Sequence, residues 1–403
     1  MIKTAALPSH LTSATLLRVS AEGVATALVL TVEARTGNAA TAGYLQTAMT
    51  LPYVLSGPLI GNALDRVARP RGIAVALAAG YAVATALLLA TAGRSPLVLA
   101  LLVAAVIGCT EPIVVALTSL LPRFVPEKGL ARAYGLEASS YNVAAIAGPG
   151  LAAGLAALAG GQYAGVAVVA VGFVGLLTLP LLRLPGPQVD VVPGAGVKSV
   201  ITGGLVVLVE GRVLRALTAA TTLAWTGFGG VAVMAVLLAE HIGAPPSAGG
   251  RLLVALAVGS LIGSLASSRW LKARHAEPVM LVGLVAFGVS LAALAVAPSL
   301  TWATVAFVAA GVCEGPVFAA TLMLRQREAP PDRLGQVNTT AGSLKIGASA
   351  VGAALTAASA DAIGAVGLVL AIAAFQVGGA LVGLLLLRAP TAEKPVDALE
   401  TGS

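Results

Sequence analysis

Apolar runs of membrane-spanning length follow one another along almost the whole chain, separated by short polar breaks. Roughly 20 apolar residues in a helix match the hydrocarbon thickness of a bilayer. The pattern predicts twelve spans, at 14–34, 41–63, 72–92, 96–121, 132–158, 162–183, 213–239, 247–270, 277–297, 300–324, 335–360 and 363–388. Each must be a helix, because lipid offers no partner to an unpaired backbone. Pro52, Pro58, Pro112, Pro149 and Pro316 fall inside spans and read as kinks that neighbouring helices tolerate. The longest break, 184–212, opens Leu184-Pro-Gly-Pro-Gln and predicts a linker followed by a short surface helix from Val197 to Arg212. The layout is a six-span bundle in 1–183, a linker in 184–212, and a second six-span bundle in 213–403. The expected fold is an all-α polytopic membrane protein of two pseudo-symmetric six-helix bundles.

The halves echo each other. Gly108, Glu111, Val114, Ala116, Thr118 and Leu121 recur 203 positions later, so that Glu111 becomes Glu314. Each copy sets a carboxylate in an apolar run and follows it with a charged loop, Arg123–Arg132 or Arg325–Arg333. Internal repeats of this kind mark transporter folds.

Composition supports lipid as the solvent. The 403 residues are 58% hydrophobic and 10% charged, with a mean hydropathy of +0.95; a soluble domain carries about 25% charged residues. A net charge of +7 could suggest nucleic acid, but the basic residues sit in short loops, which is a topology signal. Alternate loops carry Arg66, Arg69 and Arg71, then Arg123, Lys128 and Arg132, then Arg325, Arg327 and Arg333. The opposite loops and adjoining span ends hold only Arg35, Arg94 and Arg251. This asymmetry predicts a multi-pass protein of a bacterial-type cytoplasmic (inner) membrane with both termini cytoplasmic.

Cys109 and Cys313 both lie inside predicted spans, which argues against a disulfide. The start lacks a cleavable signal pattern. His10, His241 and His275 are scattered at termini and loops, so no metal site is expected. A phosphate-binding glycine loop and a nucleophile constellation are both missing, so neither ATP drive nor an enzyme is expected, and no cofactor.

Between spans 2 and 3 stands Gly61-Asn-Ala-Leu-Asp65-Arg66-Val-Ala-Arg69-Pro-Arg71. This resembles the cytoplasmic signature of the major facilitator superfamily, G-x-x-x-D-R-x-x-R-x-R/K, and the twelve spans and central linker extend the resemblance over the whole chain. Gly61 would let two helices approach where an inner gate shuts. Asp65 would accept hydrogen bonds from a neighbouring helix N-terminus, whose positive end favours an anion. Arg66, Arg69 and Arg71 would hold the loop inside and pair with acids across the interface. At the equivalent place in the second half, between Gly263 and Arg269, Ser267 stands where the acid would be.

On span 5, Gly148-Pro149-Gly150-Leu-Ala-Ala-Gly154 resembles the antiporter signature of the exporter branches, built around G-P-x-x-G-G. It implies a smooth helix face at the seam between halves and favours export over uptake. Span 4 departs from proton-driven drug exporters, which often carry an arginine there. It has none and offers Glu111.

A charge at mid-span costs roughly 2.5–3.5 kcal/mol on insertion scales. Glu22, Glu111, Glu314 and Lys345 therefore need reasons, whereas Glu137 lies nearer a span end and reads as interfacial. Spans 1, 4, 7 and 10 line the central cavity in the superfamily, which implies that Glu22, Glu111 and Glu314 flank the path, with Trp225 and Phe228 as aromatic surface. Matching depths make a Glu314–Lys345 ion pair feasible. Glu22 and Glu111 are the expected proton carriers, since proton exchange needs a tuned carboxylate.

These features predict a monomeric secondary transporter that exports a small amphipathic molecule or metabolite by proton antiport. Its partners are the substrate, protons and the lipid bilayer, with no nucleic acid. Uptake of a sugar or metabolite by proton symport is the alternative within the class. A non-transporting sensor on the same fold is the alternative outside it, although the chain ends soon after span 12 with no sizeable output domain.

Overall fold

A computed structural model describes residues 6–37, 40–67, 70–182, 197–245 and 248–389. These residues form helices and short connections, with no strand among them. Span 1 is Ala6–Thr36, span 2 Ala40–Arg66, span 3 Pro70–Thr91, span 4 Leu97–Arg123, span 5 Glu127–Ala159 and span 6 Gly161–Leu181. A helix over Val197–Glu210 follows, then span 7 at Arg212–His241, span 8 at Ala248–Trp270, span 9 at Ala273–Val296 and span 10 at Leu300–Glu328. Spans 11 and 12 form one helical run, Leu334–Arg388, divided at Gly364. There φ is +65° and ψ −178°, a conformation essentially reserved for glycine.

Ten helices among the described residues are long and apolar enough to cross a membrane, counting Leu334–Arg388 as one. Dividing that run at Gly364 and adding Ala40–Arg66 gives the twelve expected spans. Ala40–Arg66 is the less apolar one because Gln46, Thr50, Ser56 and Asn62 interrupt it. It packs heavily on span 11, and a helix shielded by a partner helix need not be oily all round.

The prolines act unequally. Pro112 has no N–H to give, and span 4 breaks there. The helix Leu97–Thr110 stops, Ile113–Ala116 resumes it, and Leu117–Arg123 tightens into 3₁₀ geometry. The helices containing Pro52, Pro58, Pro149 and Pro316 run through without interruption. The two repeated carboxylates thus differ in setting: Glu111 sits at a break, and Glu314 sits in an unbroken helix.

One apolar core lies wholly in the first bundle, around Leu28, Tyr81, Leu88 and Ile107. Another lies wholly in the second, around Met234, Leu252, Phe287 and Phe307. A third joins the bundles, with Leu130 and Tyr134 packed together with Leu217, Met323 and Leu324. Large side chains such as Val98, Leu102, Val282 and Leu385 stand exposed on the outside. Contiguous apolar exposure on this scale is at home in lipid, not in water.

At the ends of spans 1 and 3, the Arg35 guanidinium donates to the carbonyls of Leu89 (2.9 Å), Ala90 (3.2 Å) and Ala92 (2.7 Å). The carbonyls of Leu89 and Ala90 are in the last turn of span 3, which the helix itself leaves unpaired, and Ala92 is the residue just past its end. The helix Val197–Glu210 is partly buried. Gly203 and Gly204 lie against Gln336 and Thr340 of span 11, and Gln336 Nε2 donates to the Val200 carbonyl. The predicted linker residues 184–196, together with Arg69 and Arg183, lie outside the described residues.

Candidate functional site

The bundles touch along two seams, span 2 against span 11 and span 5 against span 8. At Gly57 and Gly61, span 2 approaches Ser343, Thr339 and Gly335 so closely that a side chain at either glycine would collide. Asp65 closes this seam. Its Oδ1 accepts from the Gly335 N–H at 2.9 Å and its Oδ2 from the Gln336 N–H at 2.9 Å. On the other seam Gly135 abuts Ser268, and Asn142 Nδ2 donates to Ser264 Oγ at 2.8 Å. Further along the same helices, no neighbouring atom lies within 4 Å of where a Cβ would stand at Gly43, Gly150 or Gly347.

Between the seams is a cavity of about 640 Å³. Glu22, Glu111, Glu314, Trp225, Phe228 and Lys345 all line it. Residues distributed over both halves of the sequence therefore meet in one chamber. It is shut at the Asp65 end by the seams and by the third core. Trp225 and Phe228 pack with ring centroids 4.5 Å apart and planes tilted by 51°. Tyr141 and Phe318 meet edge-on at 5.2 Å across the bundles.

The expected Glu314–Lys345 ion pair does not form. Lys345 Nζ instead sits 3.5 Å from the centroid of the Trp225 ring and 4.8 Å from that of Phe318. Glu314 accepts from Ser260 Oγ. Ring faces attract an ammonium, and the serine on span 8 supplies the carboxylate with a neutral partner.

Glu137 is not interfacial. It is 0% exposed and pairs with Arg18 Nη2 at 2.6 Å. The same guanidinium donates to the Val114 carbonyl and Thr118 Oγ1, each at 3.0 Å, and to Ser140, and lies 3.8 Å from the Tyr141 ring centroid. His10 Nε2 is 3.6 Å from Glu137 Oε2. His10, expected at a loose terminus, is a buried residue of span 1. No partner for Arg18 is legible in the sequence, because position 137 is 119 residues away and near a span end.

Among the described residues, the cation beside Asp65 is Arg123 of span 4, at 3.9 Å, which also donates to the Leu64 carbonyl at 3.0 Å. Arg71 is exposed and forms no ion pair within 4.0 Å among the described residues. Arg66 is half-buried at the end of span 2. In the second half, Ser267 donates to the carbonyl of Ser264 in its own helix, so the two halves are tied differently.

Gly148 does not face the seam between bundles. It packs inside the first one, where a Cβ would stand 2.6 Å from the Gly23 nitrogen. This close approach of spans 1 and 5 fixes the backbone that carries Glu22. Pro149 follows within the continuous helix, and Gly154 faces open space. Arg325, read as a loop residue, is a buried residue of span 10. Among the described residues, no cluster of three or more His, Cys, Asp or Glu could hold a metal ion.

A sequence model of the Major Facilitator Superfamily matches residues 11–230 and 217–402, and so covers nearly the whole chain. The chain belongs to the Major Facilitator Superfamily. Among characterised and uncharacterised relatives of this family, it is 27% identical over 355 residues to the uncharacterised MFS-type transporter y4rN of Sinorhizobium fredii (strain NBRC 101917 / NGR234), covering 86% of each chain. It is 27% identical over 345 residues to the multidrug efflux pump Tap of Mycolicibacterium fortuitum, covering 81% of this chain and 82% of Tap. The fold is similar to that of the human organic anion transporter MFSD10 (TETRAN), with a TM-score of 0.80 at 16% identity, covering 96% of this chain and 99% of that one. A bacterial homologue of the iron transporter ferroportin, in an outward-facing state, gives a TM-score of 0.70 at 15% identity over 96% of this chain and 98% of its own. This chain is thus a multi-pass membrane transporter of the superfamily, with the two-bundle helical fold.

Proposed function

We propose that the chain is a secondary active exporter of the cytoplasmic membrane. It moves a small amphipathic molecule or metabolite outward in exchange for protons, by alternating access of one cavity between two rocking bundles. The observation that carries this reading is the chamber of about 640 Å³ that gathers Glu22, Glu111 and Glu314 at membrane depth. Carboxylates in membrane spans that face a chamber are proton-relay candidates. The basic loops around Arg66 and Arg123 favour a cytoplasmic Asp65 end with both termini inside, so that the closed seams form the inner gate. The 27% identity to a multidrug efflux pump supports the outward direction.

Inverted membrane vesicles test this. With the interior acidified, candidate amphipathic substrates should accumulate and drain the proton gradient, seen as recovery of a quenched pH dye. Gradient-driven accumulation found only in right-side-out vesicles would overturn export in favour of uptake by symport.

A further inference from the structure

A second, smaller chamber opens off the main cavity inside the carboxy-terminal bundle. It is walled by spans 7, 9, 10, 11 and 12 and shares Trp225, Phe318, Glu314 and Lys345 with the cavity. Its far wall carries Arg325, three threonines of span 7 and Gln376 of span 12.

Arg325 has no visible purpose within the protein. It is only 8% exposed, its Nε has no hydrogen-bond partner, and among the described residues it forms no hydrogen bond and no ion pair within 4.0 Å. The contrast with Arg18 is direct, since Arg18 has a carboxylate, two hydroxyls and a carbonyl around it. A buried charge without a partner is costly, and such groups are ordinarily paired. The hydroxyl of Thr218, on the same chamber wall, is also buried and unpartnered. The chamber holds two basic side chains, Arg325 and Lys345, against a single acid, and Glu314 already accepts from Ser260.

We infer that this chamber is the headgroup subsite of the substrate cavity and that it receives an anionic oxygen group, a carboxylate or sulfonate, on Arg325. The guanidinium offers a planar fork that matches such a group with two parallel hydrogen bonds. Thr218 supplies a hydroxyl donor beside it. The adjoining rings of Trp225 and Phe228 hold the apolar body at the mouth, where the two chambers join. The assignment rests on the transporter reading only in calling the occupant a substrate, and it narrows that substrate to amphipathic anions or zwitterions.

The test is equilibrium binding without a gradient. Protein in lipid nanodiscs would carry Trp270→Phe and Trp302→Phe, leaving Trp225 as the sole indole. Naphthoate and its cationic counterpart naphthylmethylammonium are titrated against its fluorescence. Naphthoate should quench saturably and bind tighter than the ammonium. Arg325→Gln should weaken naphthoate roughly tenfold or more, as loss of a charge-assisted contact does, and leave the ammonium unchanged. Arg325→Lys should fall between, because a point charge lacks the fork. Thermal melting separates a misfolded variant from an altered site. Arg325→Met should melt no lower than the parent, since an unpaired buried charge has been removed.

Naphthoate binding that does not saturate, or is indifferent to Arg325→Gln, overturns the assignment, as does tighter binding of the ammonium. Saturable binding at Arg325 without vectorial movement in vesicles would refute the exporter and leave the subsite standing. Proton-driven export that ignores Arg325 would do the reverse.

Discussion

The Gly335 N–H donates to Asp65 Oδ1 at 2.9 Å, and through this bond the end of span 2 caps the start of span 11. The second oxygen takes the Gln336 N–H at the same distance. A helix start presents unpaired amides and a partial positive charge, so a carboxylate is the fitting cap. Asp65→Asn keeps the shape but replaces one acceptor by a donor, at a cost on the order of 1–3 kcal/mol. The closed end should loosen. With Cys109 and Cys313 changed to Ser, a Ser343→Cys reporter on the seam should react faster with a membrane-impermeant thiol reagent in the Asp65→Asn background. An unchanged rate would mean the cap does not hold the gate.

Gly61 gives a harder version of the same experiment. A side chain there meets the Gly335 backbone, which cannot yield as a flexible side-chain tip could. Gly61→Val should open the Ser343→Cys reporter to the reagent more than Asp65→Asn does. Gly72→Ala, on an exposed glycine with open space around it, should leave the rate where it was.

The Arg18–Glu137 pair concerns stability. Removing one partner strands the other, at roughly 3–5 kcal/mol for a buried pair. Arg18→Met and Glu137→Gln should each lower the melting temperature of the purified protein strongly. The double variant Arg18→Met/Glu137→Leu should recover much of the loss. Additive losses would mean that the surrounding hydroxyls, not the pair, carry the cost.

Glu22→Gln and Glu111→Gln preserve size and remove the titratable group. In inverted vesicles each should abolish gradient-driven accumulation while the protein still inserts and melts as the parent does. If both variants couple normally, these carboxylates serve helix contacts only.

Much of this architecture was readable from the sequence, and for a physical reason. Burial in lipid is set by run length and charge, which one sequence displays directly. The twelve spans follow from that. What stayed hidden depends on which way a side chain turns. Arg325 and Arg327 are two residues apart, so on a helix they project on roughly opposite sides. Arg327 reaches out to Glu277 and Glu328, and Arg325 turns inward. Their shared basic character made both resemble loop residues. Glu137 misled in the same way, because depth along a span says nothing of the partner across it. Gly148 signalled close packing correctly, but a glycine does not announce which neighbour comes near.

Gln336 is where three separate pieces of the chain are knotted together. Its main-chain N–H belongs to the Asp65 cap, and its side-chain amide reaches the Val200 carbonyl of the connecting helix. That helix is therefore no slack tether between two bodies. Any swing that parts span 2 from span 11 pulls at the residue to which the connecting helix is fastened, so the connector must travel with the second bundle or let go of it.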